Sequence, residues 1–138
     1  MMIEINKLTK KYRVSRNNIV DAVNNLSFDI ESGEVVTIIG PSGSGKSTLL
    51  NVLGGLDRDY DGEVKVDNKE IREYNSVYYR RNIVGTIFQQ FYLIPALSVE
   101  ENIALPFIFN TKISKKQSKR KVEELLEKVL LEAEMLDL

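Results

Sequence analysis

The chain has 138 residues, with 19 basic against 20 acidic side chains, no histidine and no cysteine. That length suits a single domain. A formal charge of −1 gives no global attraction to nucleic acid or anionic lipid, and the lack of cysteine excludes a disulfide framework and thiolate metal sites.

In chain order, residues 2–5 and 19–30 read as strands of a β-rich opening region, the second with partial period-two alternation at Val23, Leu26, Phe28 and Ile30. Glu31-Ser32-Gly33-Glu34 turns the chain into Val35-Val36-Thr37-Ile38-Ile39, an apolar run without alternation that predicts a central strand covered on both faces. Next comes Gly40-Pro41-Ser42-Gly43-Ser44-Gly45-Lys46-Ser47-Thr48, which fits G-x-x-x-x-G-K-[ST]. Residues 46–53 predict a helix with Leu49, Leu50 and Leu53 on one side and Gly54-Gly55 as its stop.

Strand, glycine-rich turn and helix N-terminus together make an anion site, because backbone N–H groups point inward and the helix dipole favours negative charge. Gly40, Gly43 and Gly45 let the backbone wrap a phosphate where a Cβ would collide or forbid the dihedrals. Pro41, Ser42 and Ser44 complete the cradle. Lys46 is expected to reach the β- and γ-phosphates as a point charge, with the Ser47 hydroxyl on a magnesium ion and Thr48 adding a further hydroxyl. The pattern points to a nucleoside triphosphate with Mg2+. It is not a dinucleotide loop, since G-x-G-x-x-G is absent.

Residues 57–62 are a second turn region, and Gly62-Glu63-Val64-Lys65-Val66-Asp67 alternates as a half-buried strand. Residues 83–88 are another apolar strand candidate. Ser98 and Glu101 form a capping box for a short helix that Pro106 is expected to interrupt. Residues 114–138 are the longest helical stretch, with an apolar stripe at Val122, Leu125, Leu126, Val129, Leu130 and Ala133. The cluster Lys115, Lys116, Lys119, Arg120 and Lys121, followed by Glu123, Glu124 and Glu127, reads as a solvated helix face with i,i+4 pairs rather than a nucleic-acid site. Residues 1–12 hold no apolar core of signal-peptide length, and the longest apolar run, residues 103–109, is far too short to span a bilayer. The expectation is a soluble cytoplasmic protein whose membrane link runs through a partner.

Two further segments resemble a particular P-loop family. Gly85-Thr86-Ile87-Phe88-Gln89-Gln90-Phe91, with Leu93-Ile94-Pro95 and Glu101-Asn102 after it, resembles the Q-loop region of ATP-binding-cassette (ABC) transporter ATPases. Leu8-Thr9-Lys10-Lys11-Tyr12 resembles their opening strand, which ends in an aromatic A-loop residue. Asn51-Val52-Leu53-Gly54-Gly55-Leu56-Asp57, Tyr79-Arg80-Arg81-Asn82 and Phe88-Gln89-Gln90-Phe91 are similar to the branch that releases lipoproteins or exports macrolides and antimicrobial peptides. The resemblance reaches to about Val129.

It implies an α/β P-loop NTPase fold of the ABC ATPase type, in its N-terminal half. An antiparallel β region and a parallel core sheet with the P-loop helix would occupy residues 1–110, and a helical subdomain would begin at 111–138 and be cut short. Tyr12 would stack on adenine, and Gln89 would complete the magnesium shell and sense the γ-phosphate or the attacking water. The stretch from Phe91 to Asn102 would face the coupling helix of a membrane-spanning subunit, though the apolar side chains from Phe91 to Ile94 would equally suit a core. ATP and Mg2+ are the implied ligands, and the implied location is peripheral to the inner face of the membrane.

The departures from the family matter too. The Leu-Ser-Gly-Gly-Gln signature, a Walker B strand ending in Asp-Glu and a switch histidine are absent from these 138 residues. The catalytic set is therefore incomplete, with Lys46 and Gln89 contributory, and hydrolysis by this chain alone is expected to be negligible. Missing parallel neighbours would leave a hydrophobic sheet edge, open to self-association or to cover by the terminal helix. Two competing readings are a non-catalytic nucleotide-binding module completed by a partner and a small-molecule kinase. The kinase lacks a recognisable arginine lid, and 34 residues precede its P-loop strand. A GTPase fails because Asn68-Lys69-Glu70-Ile71 has isoleucine where Asn-Lys-x-Asp needs aspartate.

Overall fold

The computed structural model describes residues 1–16, 18–108 and 113–129. Its backbone divides into two units, Met1–Ile87 and Phe88–Leu138.

The first unit is built on an antiparallel sheet of order β2-β1-β3-β4, with β1 at Ile3–Ser15, β2 at Asn18–Ile30, β3 at Asp61–Val66 and β4 at Lys69–Glu70. Strand β1 is far longer than its alternation suggests, because its register against both neighbours shifts after Ile5 and Asn6, and Lys7 takes φ 51°. The bulge keeps Ile5 and Leu8, three residues apart, buried together. Gly62 (φ 88°) permits the close approach there, since a Cβ would strike the Lys7 carbonyl. Asp67 and Asn68 both have positive φ, 50° and 62°, the geometry of a two-residue hairpin turn joining β3 to β4.

One face of this sheet carries Ile5, Leu8, Val23, Val64 and Val66. Leu49 and Val52 of helix α1 (Lys46–Leu53) complete the core with Tyr60, Ile71 and Tyr79. Tyr79 lies on α2 (Ser76–Asn82), whose N-terminus is capped by the Asn75 side chain accepting from the Val77 and Tyr78 amides at 3.0 and 3.1 Å. Its hydroxyl donates to the Leu53 carbonyl at 2.7 Å, and its ring lies so close to Gly55 that a Cβ there would stand 2.6 Å from Tyr79 Cδ1. Burial pushes the Tyr79 phenol up to about 12.

Glu70 is a buried acid, 8% exposed, that accepts from the Tyr60 hydroxyl at 2.6 Å, the Val64 amide at 2.9 Å and Arg72 Nε at 3.2 Å. Burial alone would raise its pKa, but these donors outweigh that and hold it below the usual value. A depressed native pKa contributes stability that is complete above the unfolded value. It is lost as pH falls through the native one. Urea unfolding should therefore show a stability loss from pH 5 to pH 3 that is smaller in Glu70→Gln, and an identical pH slope in both proteins would contradict this.

Two segments depart from expectation. Residues 35–39 and 83–88, read as buried strands, form no strand ladder among the described residues, and Val35 and Ile39 are 92% and 86% exposed. A strand covered on both faces needs hydrogen-bonded neighbours on both edges, and β1 to β4 pair only with one another. The described sheet is thus the antiparallel part of the expected architecture.

In the second unit, α3 spans Val99–Ile108 and α4 spans Lys115–Lys128. The expected capping box is formed, with the Ser98 amide donating to Glu101 Oε2 at 2.8 Å and the Glu101 amide to Ser98 Oγ at 3.2 Å. Pro106, expected to interrupt α3, instead sits inside it. Only two helical residues follow it, so its missing N–H costs a single bond near the helix end. Ser114 caps α4 in a second box with Gln117. On its stripe Val122 is buried while Leu125 and Val129 face solvent, and Leu130 and Ala133 lie outside the described residues. Arg120 pairs with Glu124 at 3.0 Å across one turn of an exposed face, as the charge pattern predicts.

Candidate functional site

Helix α1 begins at Gly45, which holds the left-handed conformation (φ 89°) as its N-cap, and Gly43 ahead of it has φ 80°. No side chain caps α1. Its first amides are therefore free of intrahelical and capping partners, and they carry the positive end of the helix dipole. Gly45 is also where the loop leans on β2, since a Cβ would run into the Ala22 carbonyl oxygen. Glycine here answers both a dihedral and a packing demand.

Lys46 turns back over the loop and donates to the Gly40 carbonyl at 2.9 Å, the Pro41 carbonyl at 2.7 Å and Ser44 Oγ at 3.3 Å. The ammonium thus sits within the turn that the glycines form and holds it together. Ser47 stands exposed in the first turn of α1. A cavity of about 260 Å³ runs from Ser42–Thr48 to Val20, Ala22 and Tyr12, so two strands close the far end of the loop. The sequence-predicted loop residues and Tyr12 are therefore brought together.

Tyr12 is held by a polar cluster that sequence reasoning did not anticipate. Its hydroxyl donates to Asp57 Oδ2 at 3.0 Å, while Lys10 Nζ donates to Asp57 Oδ1 at 3.0 Å, to Asp59 Oδ2 at 3.3 Å and to the Asp59 carbonyl. Lys10 is 4% exposed, and its ammonium lies 4.9 Å from the Tyr12 ring centroid. Burial lowers the Lys10 pKa, but hydrogen bonds and charge from Asp57 and Asp59 more than reverse this and leave it raised. Asp57 is the mirror case: burial raises it, and Lys10, the Asp59 amide and the Tyr12 hydroxyl together leave it lowered. No short-range pattern signals this cluster, because Lys10 and Asp57 are 47 residues apart.

Gln89 lies in the second unit, at an exposed bend with Gln90. The segment after it is not core: Phe91, Tyr92, Leu93 and Ile94 are all exposed, and Tyr92 packs edge-on against Phe88 with ring centroids 5.2 Å apart. Asn102 ties this segment to α3. Its Oδ1 accepts from the Ile94 amide at 2.9 Å, and its Nδ2 donates to the carbonyls of Ile94, Leu97 and Ser98 at 3.0 to 3.2 Å.

Among the described residues no group of three or more carboxylate, histidine or cysteine side chains could hold a metal by itself. Magnesium does not require one, because it keeps several waters and is held by one or two protein oxygens plus substrate phosphates. An exposed serine hydroxyl beside a phosphate cradle fits that donor set. No helix among the described residues is long and apolar enough to cross a membrane.

A β-hairpin sheet, a P-loop with a left-handed glycine cap and an aromatic at its far end define a P-loop NTPase of cassette type. The family model described as ABC transporter matches residues 23–136, and the chain belongs to that family, within its ATP-binding domain. It is 38% identical over 138 residues, 98% of its length, to the uncharacterized ABC transporter ATP-binding protein YknY of Bacillus subtilis strain 168, of which it covers 59%. It is 43% identical over 136 residues, 95% of its length, to the macrolide export ATP-binding/permease protein MacB of Mannheimia succiniciproducens, of which it covers 20%. The dimeric post-hydrolysis structure of the ATP-binding cassette MJ0796 of Methanocaldococcus jannaschii, bound to ADP and Pi, superposes with a TM-score of 0.79 at 38% identity, over 91% of this chain and 56% of that one. The chain thus spans about half the length, or less, of most of the relatives it matches.

Proposed function

We propose that the chain binds Mg-ATP at residues 40–48 as the ATP-binding part of an ABC transporter. The observation that carries this reading is the left-handed Gly45 cap, which leaves the α1 amides open to an anion in a cavity that Tyr12 closes. In this reading the triphosphate lies along the loop with its β- and γ-phosphates against the α1 N-terminus. Lys46 gives up the Gly40 and Pro41 carbonyls and donates to phosphate oxygens. Ser47 would hold a magnesium ion through its hydroxyl, and that ion would supply charge neutralisation at the phosphates, a role in which the family resemblance gives Gln89 a share. Tyr12 supplies a stacking face for adenine, a contact that any base ring would satisfy.

The exposed Phe91–Ile94 side chains, held to α3 by Asn102, suit contact with a membrane-spanning subunit, and in this reading the protein would lie at the cytoplasmic face. The branch resemblance, and the likeness to MacB, favour export over import. Phosphoryl transfer depends on positioned groups around the transferred phosphate, and the 138 residues hold no signature, no Walker B pair and no histidine. The chain alone is therefore a nucleotide binder without turnover.

Calorimetric titration with Mg-ATP, with released phosphate assayed in the same sample, tests both parts. Saturable one-site binding with no phosphate above background is expected. Turnover at the rate of a complete cassette, or no saturable heat, would contradict the reading.

A further inference from the structure

We infer that Asp57 and Lys10 are positioning residues for the base, locking the Tyr12 ring at a set distance from the phosphate loop so that the site reads base and triphosphate together. This rests on the proposed ATP reading, and deepens it.

The argument starts from what each group touches. Tyr12 is 38% exposed and stands on β1, a strand that does not carry the phosphate loop. A half-exposed aromatic side chain ordinarily samples more than one rotamer, and ordering it on binding weakens affinity. Here the ring is fixed at two points. Its hydroxyl is anchored on Asp57 Oδ2, and the Lys10 ammonium covers one of its faces at 4.9 Å. A cation over one face leaves a single face for a stacking base.

Asp57 is itself fixed from three sides. Lys10 and the Asp59 amide occupy Oδ1 at 3.0 and 3.1 Å, and its own amide donates back to the Asn51 carbonyl of α1 at 3.1 Å. One helix therefore sets both ends of the site. The N-terminus of α1 presents the phosphate amides, and the turn leaving its C-terminus carries the carboxylate that holds Tyr12. The buried Lys10 neutralises that carboxylate and orients it, which a serine or asparagine in a flexible turn would not do. Neither residue needs to touch the nucleotide.

The test compares two probes, Mg-ATP and inorganic Mg-tripolyphosphate, which share the phosphate chain and differ in the nucleoside. Tyr12→Phe keeps the ring and leaves the Lys10–Asp57 pair intact. It should weaken ATP about three- to tenfold, the range of one unfrozen side chain, with tripolyphosphate unchanged. Asp57→Ala should lower the ratio of ATP to tripolyphosphate affinity by a similar factor, Asp57→Asn should recover part of it, and Asp57→Ala should add nothing to that ratio in a Tyr12→Phe background. Wild-type ATP affinity in Tyr12→Phe, or an equal loss for both probes, would overturn the inference. If Tyr12→Ala leaves the ratio at its wild-type value, the stacking role of Tyr12 fails while phosphate binding stands. If wild type binds neither probe, the ATP reading itself fails.

Discussion

Replacing Gly45 with alanine is expected to abolish Mg-ATP binding at any concentration where the wild-type chain saturates, a loss of at least about a hundredfold (about 2.7 kcal/mol). Two costs meet at this one position. A residue with a Cβ pays about 1–2 kcal/mol to hold the left-handed conformation that Gly45 takes at φ 89°. That Cβ would also meet the Ala22 carbonyl oxygen, part of a paired strand rather than a side chain able to swing away. The loop must then shift as a whole, and the α1 amides no longer converge on one point. Gly43→Ala is the control, since φ is 80° there but a Cβ finds nothing within 4 Å. Titration of both variants should rank Gly45→Ala well below Gly43→Ala, and equal losses would mean that contact with β2 plays no part.

Lys46→Ala should cost tenfold to a hundredfold in Mg-ATP affinity, on the order of 1.5–3 kcal/mol for charge-assisted hydrogen bonds. The structure explains why the loss is not larger. Lys46 already donates to Gly40, Pro41 and Ser44, so binding would exchange neutral acceptors for phosphate oxygens rather than create bonds from nothing. The same contacts predict that Lys46→Ala loosens residues 40–44 in the absence of nucleotide, read as faster amide hydrogen exchange there. Unchanged ATP affinity in Lys46→Ala would remove the lysine from the site.

The phosphate loop was legible because its chemistry is local: glycines, lysine and serine lie within nine residues and their spacing is dictated by one turn and one helix start. The capping box at Ser98 was legible for the same reason, being a contact across three residues. What could not be read depends on partners far away in the chain. The bulge at Lys7 breaks the alternation of β1, so only its first residues look like a strand until β3 and the Gly62 approach are seen. Helix α2 is short and turns on Tyr79, one buried aromatic that meets Gly55 and Leu53 across the core. Residues 35–39 show the converse, since apolar composition forecasts a covered strand but the ladder needs neighbours that the four described strands do not supply. The Lys10–Asp57–Tyr12 cluster left no trace in the sequence for the same reason of distance.

The most direct test of the central claim, that the α1 N-terminus and its glycine loop form the nucleotide site, is to follow backbone amide resonances of the chain by NMR during titration with Mg-ATP. The expected result is a set of saturating shifts concentrated at residues 43–48, with Tyr12 and Val20 at the far end of the cavity moving in the same titration. Saturating shifts that leave residues 43–48 in place and gather elsewhere would contradict it.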